Sequence, residues 1–196
     1  MRALYRQMIA NLRDIERILP PKRVDGNYSR SEMALIRAYY ILCHAEFENF
    51  FEECATLKVN SVLRDYSRNG KPHMLLLSLT FAFIKSDEDV LDAKRSSNMP
   101  RLLNVMRTKY QKNILETNNG IKENNLVDIY SPLGVDIYQL LDATIIGDFN
   151  SLGVKRGDFA HKGLHLNAVE DVDIARKKTH NLARALRKFY IALENG

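Results

Sequence analysis

The chain has 196 residues, of which 45% are hydrophobic and 27% are charged, and its formal net charge is +5 at pH 7. This composition is typical of one globular domain and excludes a disordered chain. Two cysteines without Cys-x-x-Cys spacing exclude a zinc finger. The longest apolar run is too short for a membrane helix, which needs about 20 residues, so we expect a cytoplasmic protein without a membrane partner.

Helical spacing of apolar residues predicts a first helix over residues 2–19, ended by the two prolines that follow. Ser29 and Glu32 have the spacing of a capping box and predict the start of a long helix. That helix should run through Cys54 and to about residue 65. A short buried helix is expected over residues 73–85, followed by a polar loop.

The second half of the chain has three further helix signals. Pro100 suits the first turn of a helix that runs to Glu116, and the asparagine-rich residues 118–125 indicate an exposed loop. Ser131 and Pro132 are typical of a helix start, and Gly147 is expected to end that helix. A second capping-box pattern over residues 167–170 predicts the start of the last helix.

No segment alternates with the period of a strand. We therefore predict an all-α fold, a helical bundle of about five helices. The chain should form a single domain, with residues 1–29 as an N-terminal helix and linker and residues 30–193 as the core bundle.

Three polar residues share one face of the long helix, which is otherwise apolar on nearly all sides. Steps of 7 and 11 residues bring His44 and Glu48 to within about 20° of Arg37. Buried charges need partners, so one interpretation is a polar network between helices. A second is the lining of an active cleft. A third is a metal site on His44 and Glu48, although no other cluster in the sequence completes it.

The most informative segment contains Arg156 and His161, five residues apart. On a continuous helix they would lie about 140° apart. Gly157 is expected to loosen the backbone and Asp158 to cap a short turn, so that both side chains reach one cleft. A guanidinium donates in a bidentate manner to phosphate, and a histidine moves protons near neutral pH. RNA carries its own 2′-hydroxyl nucleophile, so this pair can cleave it without a metal or cofactor.

Positive charge is concentrated at the two ends of the sequence. Residues 1–23 and residues 151–196 each have a net charge of +4, whereas the middle of the chain has −3. The second basic region contains the Arg156 motif, which favours an anionic partner there. A solvated helix face is the alternative explanation for each basic region.

The two segments together resemble the HEPN superfamily, in its RiboL-PSP-type or MAE-like branch. Residues 156–163 resemble the family's Arg-x4–6-His motif, and Phe47-Glu48-Asn49-Phe50 after Arg37 resembles its long helix. The resemblance implies a homodimeric, metal-independent endoribonuclease of a toxin–antitoxin or phage-defence system, with an antitoxin or other defence protein as a possible partner. Arg156 and His161 would be catalytic, and Glu48, Arg37, His44 and Asp158 would support them or line the cleft.

Two positions differ from the family motif. Gly157 stands where Asn, Asp or His is common, and Lys162 follows the histidine where glycine is common. These differences favour the alternative function, a non-catalytic helical adaptor that binds a protein or a nucleic acid.

Overall fold

Eight α-helices and no β-strand make up the described part of a computed structural model, which comprises residues 1–70, 73–83, 99–162 and 170–195. The helices are α1 (Arg2–Glu16), α2 (Arg30–Asn69), α3 (Met74–Phe83), α4 (Met99–Tyr110), α5 (Glu123–Tyr130), α6 (Ile137–Leu140), α7 (Ala143–Lys162) and α8 (Val172–Asn195). The predicted all-α class is confirmed, and five of these helices have 12 residues or more. None of the described helices is long and apolar enough to cross a bilayer.

The start and end of α2 follow the sequence signals. The backbone N–H of Glu32 donates to Ser29 Oγ at 3.2 Å, and the backbone N–H of Ser29 donates to Glu32 Oε2 at 2.8 Å. This reciprocal pair satisfies two donors that have no partner within the helix. The helix ends at Gly70, whose φ of 64° lies in the left-handed region that glycine adopts without strain. At 40 residues, α2 continues beyond the predicted end.

The core of the protein surrounds α2, as its apolar composition on all sides predicts. Helices α1, α3, α4, α5, α7 and α8 all contact it. The ring of Phe51 is fully buried and meets Phe149 of α7 and Phe189 of α8, each with ring centroids 5.2 Å apart in edge-to-face geometry. Tyr130 of α5 donates its hydroxyl hydrogen bond to the carbonyl of Phe51 at 2.8 Å. This aromatic cluster holds α7 in place against α2.

The N-terminal helix packs on the same core. It contacts α2 and α8, and the hydroxyl of Tyr5 donates to the carbonyl of Ala183 at 3.2 Å. Met8 and Leu12 are buried, which matches the apolar face predicted for residues 2–19. The division into an N-terminal part and a core bundle stays a prediction.

The predicted helix between Ser131 and Gly147 is wrong. Residues Ser131–Leu133 form a single 3₁₀ turn, which Gly134 ends with a φ of 71°. Gly147 lies inside α7 and does not end a helix. A glycine in a helix costs about 1 kcal/mol relative to alanine. Burial of the neighbouring Ile146 and Phe149 outweighs that cost.

The predicted exposed loop over residues 118–125 is also partly wrong. Asn124 and Asn125 belong to α5, and Gly120 is buried. A β-carbon on Gly120 would stand 2.6 Å from Oδ1 of Asn125, so this glycine permits a close approach. Asn119 and Asn124 are exposed as predicted, but Asn118 donates to Glu52 Oε1 at 2.7 Å, so the region is anchored to α2.

Candidate functional site

The motif that contains Arg156 and His161 lies on an uninterrupted helix. Residues 156–161 all belong to α7, so the predicted break at Gly157 and the predicted cap at Asp158 are wrong. A β-carbon on Gly157 would have no neighbour within 4 Å, so no close contact requires glycine there. Interactions on both sides of Gly157 keep α7 intact. The ring of Phe159 packs against Tyr40, with centroids 5.7 Å apart.

Arg156 is half-buried on the side of α7 that faces α2. There it lies close enough to His44 and Glu48 for its positive charge to lower the pKa of both side chains. The structure thus brings together three of the residues that the sequence predicted.

His44 is neutral at physiological pH. Its side chain is almost completely buried, and this burial, together with the charges of Arg156 and Lys122, lowers its pKa from 6.5 to about 4. Its Nδ1 lies 3.7 Å from Oε2 of Glu48. Because the ring carries no charge near pH 7, this contact is not an ion pair.

Glu48 carries a buried carboxylate oxygen. Its Oε1 has no hydrogen-bond partner among the described residues. Burial, and to a lesser extent the nearby Glu52, raise the pKa of Glu48 above its ordinary 4.5, and the charge of Arg156 offsets part of that rise. Arg156 is therefore a cation that favours the charged form of this carboxylate against the effect of burial.

Lys122 belongs to the same group and was missed by the sequence analysis. Its side chain crosses Gly153 of α7, so that a β-carbon on Gly153 would stand 2.8 Å from Cγ of Lys122. Lys122 also contributes to the lowered pKa of His44. The only signal in the sequence is Gly153 itself, one turn before Arg156, where a missing side chain leaves room for a neighbour. We call Arg156, Lys122, His44 and Glu48 the Arg156 cluster.

His161 does not join this cluster within one chain. It is exposed, and it is turned about 140° from Arg156 around the axis of α7. Asp158 is turned about 160° from Arg156, so it also faces away from the cluster. Arg37 is buried on α2 but lies about 16 Å along the helix axis from Glu48. Gly163 and His165, which the sequence analysis weighed near the motif, lie outside the described residues.

A second polar cluster fixes the position of α7. Glu170 accepts hydrogen bonds from Lys155 at 2.5 Å, from Lys178 at 2.6 Å and from the hydroxyl of Tyr40. Burial raises the pKa of Glu170, but these hydrogen bonds outweigh that effect and hold the pKa at about 2. Lys155 also lies 4.7 Å from the ring centroid of Tyr40.

Glu170 was expected to act in a capping box with Asn167. Its carboxylate is instead shared by the two lysines and the tyrosine. Asn167 lies outside the described residues. At the start of α8, Asp171 Oδ1 accepts from the backbone N–H of Asp173 at 2.8 Å.

Metal ligands are not grouped in the described part of the chain. No three His, Cys, Asp or Glu side chains there are placed to share an ion, so His44 and Glu48 find no third ligand within it. The structure offers two cations beside a buried carboxylate and a neutral histidine. Such a group can bind an anion.

Comparison with known proteins gives one match. A family model described as RiboL-PSP-HEPN matches residues 6–195. No curated protein and no solved structure matches the chain.

Proposed function

The chain belongs to the RiboL-PSP-HEPN family, and from this we propose that it is a metal-independent endoribonuclease that acts as a homodimer. In this reaction the 2′-hydroxyl of RNA attacks the adjacent phosphorus and the bond to the 5′-oxygen breaks. A base removes the proton of the 2′-hydroxyl, and an acid protonates the 5′-oxygen. The products carry a cyclic phosphate and a 5′-hydroxyl.

The proposal rests mainly on the placement of Arg156 beside a buried carboxylate. Glu48 lies close enough to Arg156 for the two side chains to attract each other electrostatically. Arg156 and Lys122 together supply two positive charges for the phosphate and for the charge that grows on it in the transition state. Neutral His44 adds no third charge to this group.

His161 would transfer the protons. It is exposed, so its imidazole can reach a bound RNA strand and exchange protons with solvent. Within one chain it faces away from Arg156. The proposed site therefore needs a second chain, in which His161 of one copy completes the cluster of the other.

The outward face of α7 supports such a dimer. Gly147, Val154, Gly157 and His161 lie within about 80° of one another around the axis of α7, on the side turned away from Arg156. We call these four residues the α7 stripe. Val154 is 51% exposed, and β-carbons on the two glycines would have no neighbour within 4 Å. A second α7 can therefore approach closely along this stripe.

The cellular setting that we propose is a toxin–antitoxin or phage-defence system in the cytoplasm. An antitoxin or another defence protein would then control the activity. This part of the proposal follows from the family resemblance.

The test compares the wild-type protein with His161→Ala and Arg156→Gln in the presence of EDTA. We expect the wild type to cleave RNA and leave cyclic phosphate ends, and each variant to lose about 100-fold or more in rate. His180→Ala is the matched control, because His180 is an exposed histidine on α8 that pairs with Glu16. Equal cleavage by the wild type and His161→Ala would refute the catalytic assignment.

The different orientations of Arg156 and His161 favour a second candidate, a non-catalytic adaptor. On an unbroken α7 the two side chains do not converge within one chain. If the purified protein is monomeric and does not cleave RNA, the adaptor function replaces the nuclease function.

A further inference from the structure

A second cationic site lies in a groove between α2 and α4. The groove has a volume of about 600 Å³, within the range of ligand-binding sites. The described residues that line it are Leu57, Asn60, Leu63, Arg64, Ser67 and Arg68 of α2, and Pro100, Leu103, Asn104 and Arg107 of α4. We call it the arginine groove.

The charged side chains among the described residues that line the arginine groove all have one sign. They are Arg64, Arg68 and Arg107, all exposed, and none of the described lining residues is acidic. Within the described part of the chain, none of these three arginines makes an ion pair. Arg64 and Arg68 are four residues apart on α2, a spacing at which like charges destabilise a helix by about 0.2–0.5 kcal/mol. A bound anion would relieve this repulsion.

The three arginines differ in how well their own helices stabilise their charge. Arg68 lies in the last turn of α2 and Arg107 in the last turn of α4, where a positive charge is favourable because of the helix dipole. Arg64 lies a turn before the end of α2 and gains less from that effect. Arg64 and Arg107 line the groove from its two helices, and Asn60, Ser67 and Asn104 add hydrogen-bonding groups.

The arginine groove is separate from the Arg156 cluster. Arg64 lies about 24 Å along α2 from Glu48 and is turned about 160° from it around the axis. One small anion cannot contact both places. A chain of phosphates can contact both.

We propose that the arginine groove binds the phosphate backbone of an RNA strand outside the segment that is cleaved. This inference rests on the proposed ribonuclease function for the identity of the ligand. The planar guanidinium of arginine matches phosphate oxygens, and the described residues that line the groove include no aromatic side chain on which a base would stack. The groove therefore adds affinity and salt dependence without reading the sequence.

The test measures binding of fluorescent RNA whose 2′-hydroxyls are methylated, so that no cleavage can occur. The variant Arg64→Gln/Arg107→Gln is compared with Arg6→Gln/Arg13→Gln, which removes the same charge from exposed positions on α1. Binding of a strand of ~20 nucleotides is followed by anisotropy between about 50 and 200 mM salt. A strand of ~4 nucleotides, which cannot span both sites, is measured in parallel. Circular dichroism confirms that both variants are folded.

We expect Arg64→Gln/Arg107→Gln to weaken binding of the long strand about tenfold and to reduce its salt slope by about 1.4, since each phosphate contact on a single strand contributes about 0.7. The α1 control should retain the wild-type slope. The short strand should lose less affinity than the long strand in Arg64→Gln/Arg107→Gln, because it can bind at the Arg156 cluster without contacting the groove. Equal slopes for the two double variants would overturn the proposal. Cleavage is not needed for this measurement. The proposed catalytic role of His161 and the proposed RNA binding by the groove can therefore be refuted independently of each other.

Discussion

The side chain of Lys122 lies directly over Gly153, so that a β-carbon on that glycine would stand 2.8 Å from Cγ of the lysine. Lys122 precedes α5 and Gly153 belongs to α7. Because Gly153 has no side chain, Lys122 can pass over α7 at this point and bring a second positive charge beside Arg156.

Gly153→Ala should displace Lys122 and lower the cleavage rate about tenfold, because a misplaced charge stabilises the transition state less. The loss should not come from unfolding, since alanine is favoured over glycine in a helix by about 1 kcal/mol. Cleavage kinetics and thermal unfolding of Gly153→Ala, Lys122→Ala and the double variant check this. If the two effects on rate add fully in the double variant, the glycine does not act through the lysine.

His44 should make the protein less stable in mild acid. Its pKa in the folded state is about 4, against 6.5 for the free side chain, so the unfolded state binds more protons in this interval. The contribution of His44 to the free energy of unfolding is fully present above about pH 6.5 and is lost as the pH falls toward 4. The slope of this loss is up to about 1.4 kcal/mol per pH unit. Urea unfolding across this range should show that slope in the wild type.

The variant His44→Asn isolates this contribution, because it removes the titrating group. Its unfolding free energy should vary less than that of the wild type between about pH 6.5 and 4. His180→Ala is the control, since it removes a histidine that is about half exposed on α8. A His44→Asn profile as steep as that of the wild type would contradict the assignment.

Glu170→Gln should destabilise the protein by about 1–3 kcal/mol, because Lys155 and Lys178 lose the carboxylate that both contact. In the wild type the pKa of Glu170 is about 2, below its ordinary 4.5. The stability from this carboxylate is therefore present above about pH 4.5 and is lost as the pH falls toward 2. Chemical unfolding at neutral and acidic pH measures both effects.

The control for Glu170→Gln is Asp173→Asn, which removes an exposed carboxylate that pairs with Lys22 and Arg176. Exposed ion pairs contribute about 1 kcal/mol or less. Equal destabilisation by the two variants would mean that the contacts of Glu170 with Lys155, Lys178 and Tyr40 stabilise the protein no more than an exposed ion pair does.

Val154→Glu should convert the proposed dimer into a folded monomer. The variant places a charge on the α7 stripe, where a second copy would have to bury it. Light scattering of the wild type and the variant gives the mass in solution. Ile191→Glu is the matched control, because Ile191 is 41% exposed on α8 and lies off the stripe. A dimer that persists in Val154→Glu would place the interface elsewhere.

The sequence predicted a helix boundary correctly where the interaction that fixes this boundary is itself local. The capping box of Ser29 and Glu32 is one such case, because both partners lie within four residues. Gly147 was misread as a helix end and Gly157 as a break in the backbone for the opposite reason. Their helical state depends on the packing of α7 against α2, which is set by Phe149 and Phe51.

The candidate site was predicted in part. Glu48 and His44 were found because they share a helix face, and Arg156 because its motif resembles that of a family. Their proximity depends on how α7 crosses α2, which no short pattern encodes. Lys122 could not be predicted for the same reason, since it comes from a separate element 34 residues before Arg156.

The aromatic contacts of Phe51 have a consequence for how the protein is controlled. Phe149, which lies two turns before Arg156, is fully buried against Phe51 and Phe47. A shift of α7 would break these edge-to-face contacts, so amides around Phe149 should exchange with solvent only when the whole bundle opens. An inhibitor that acted by moving α7 would have to break this packing. We expect it to act by physically covering the face that carries Arg156 and His161.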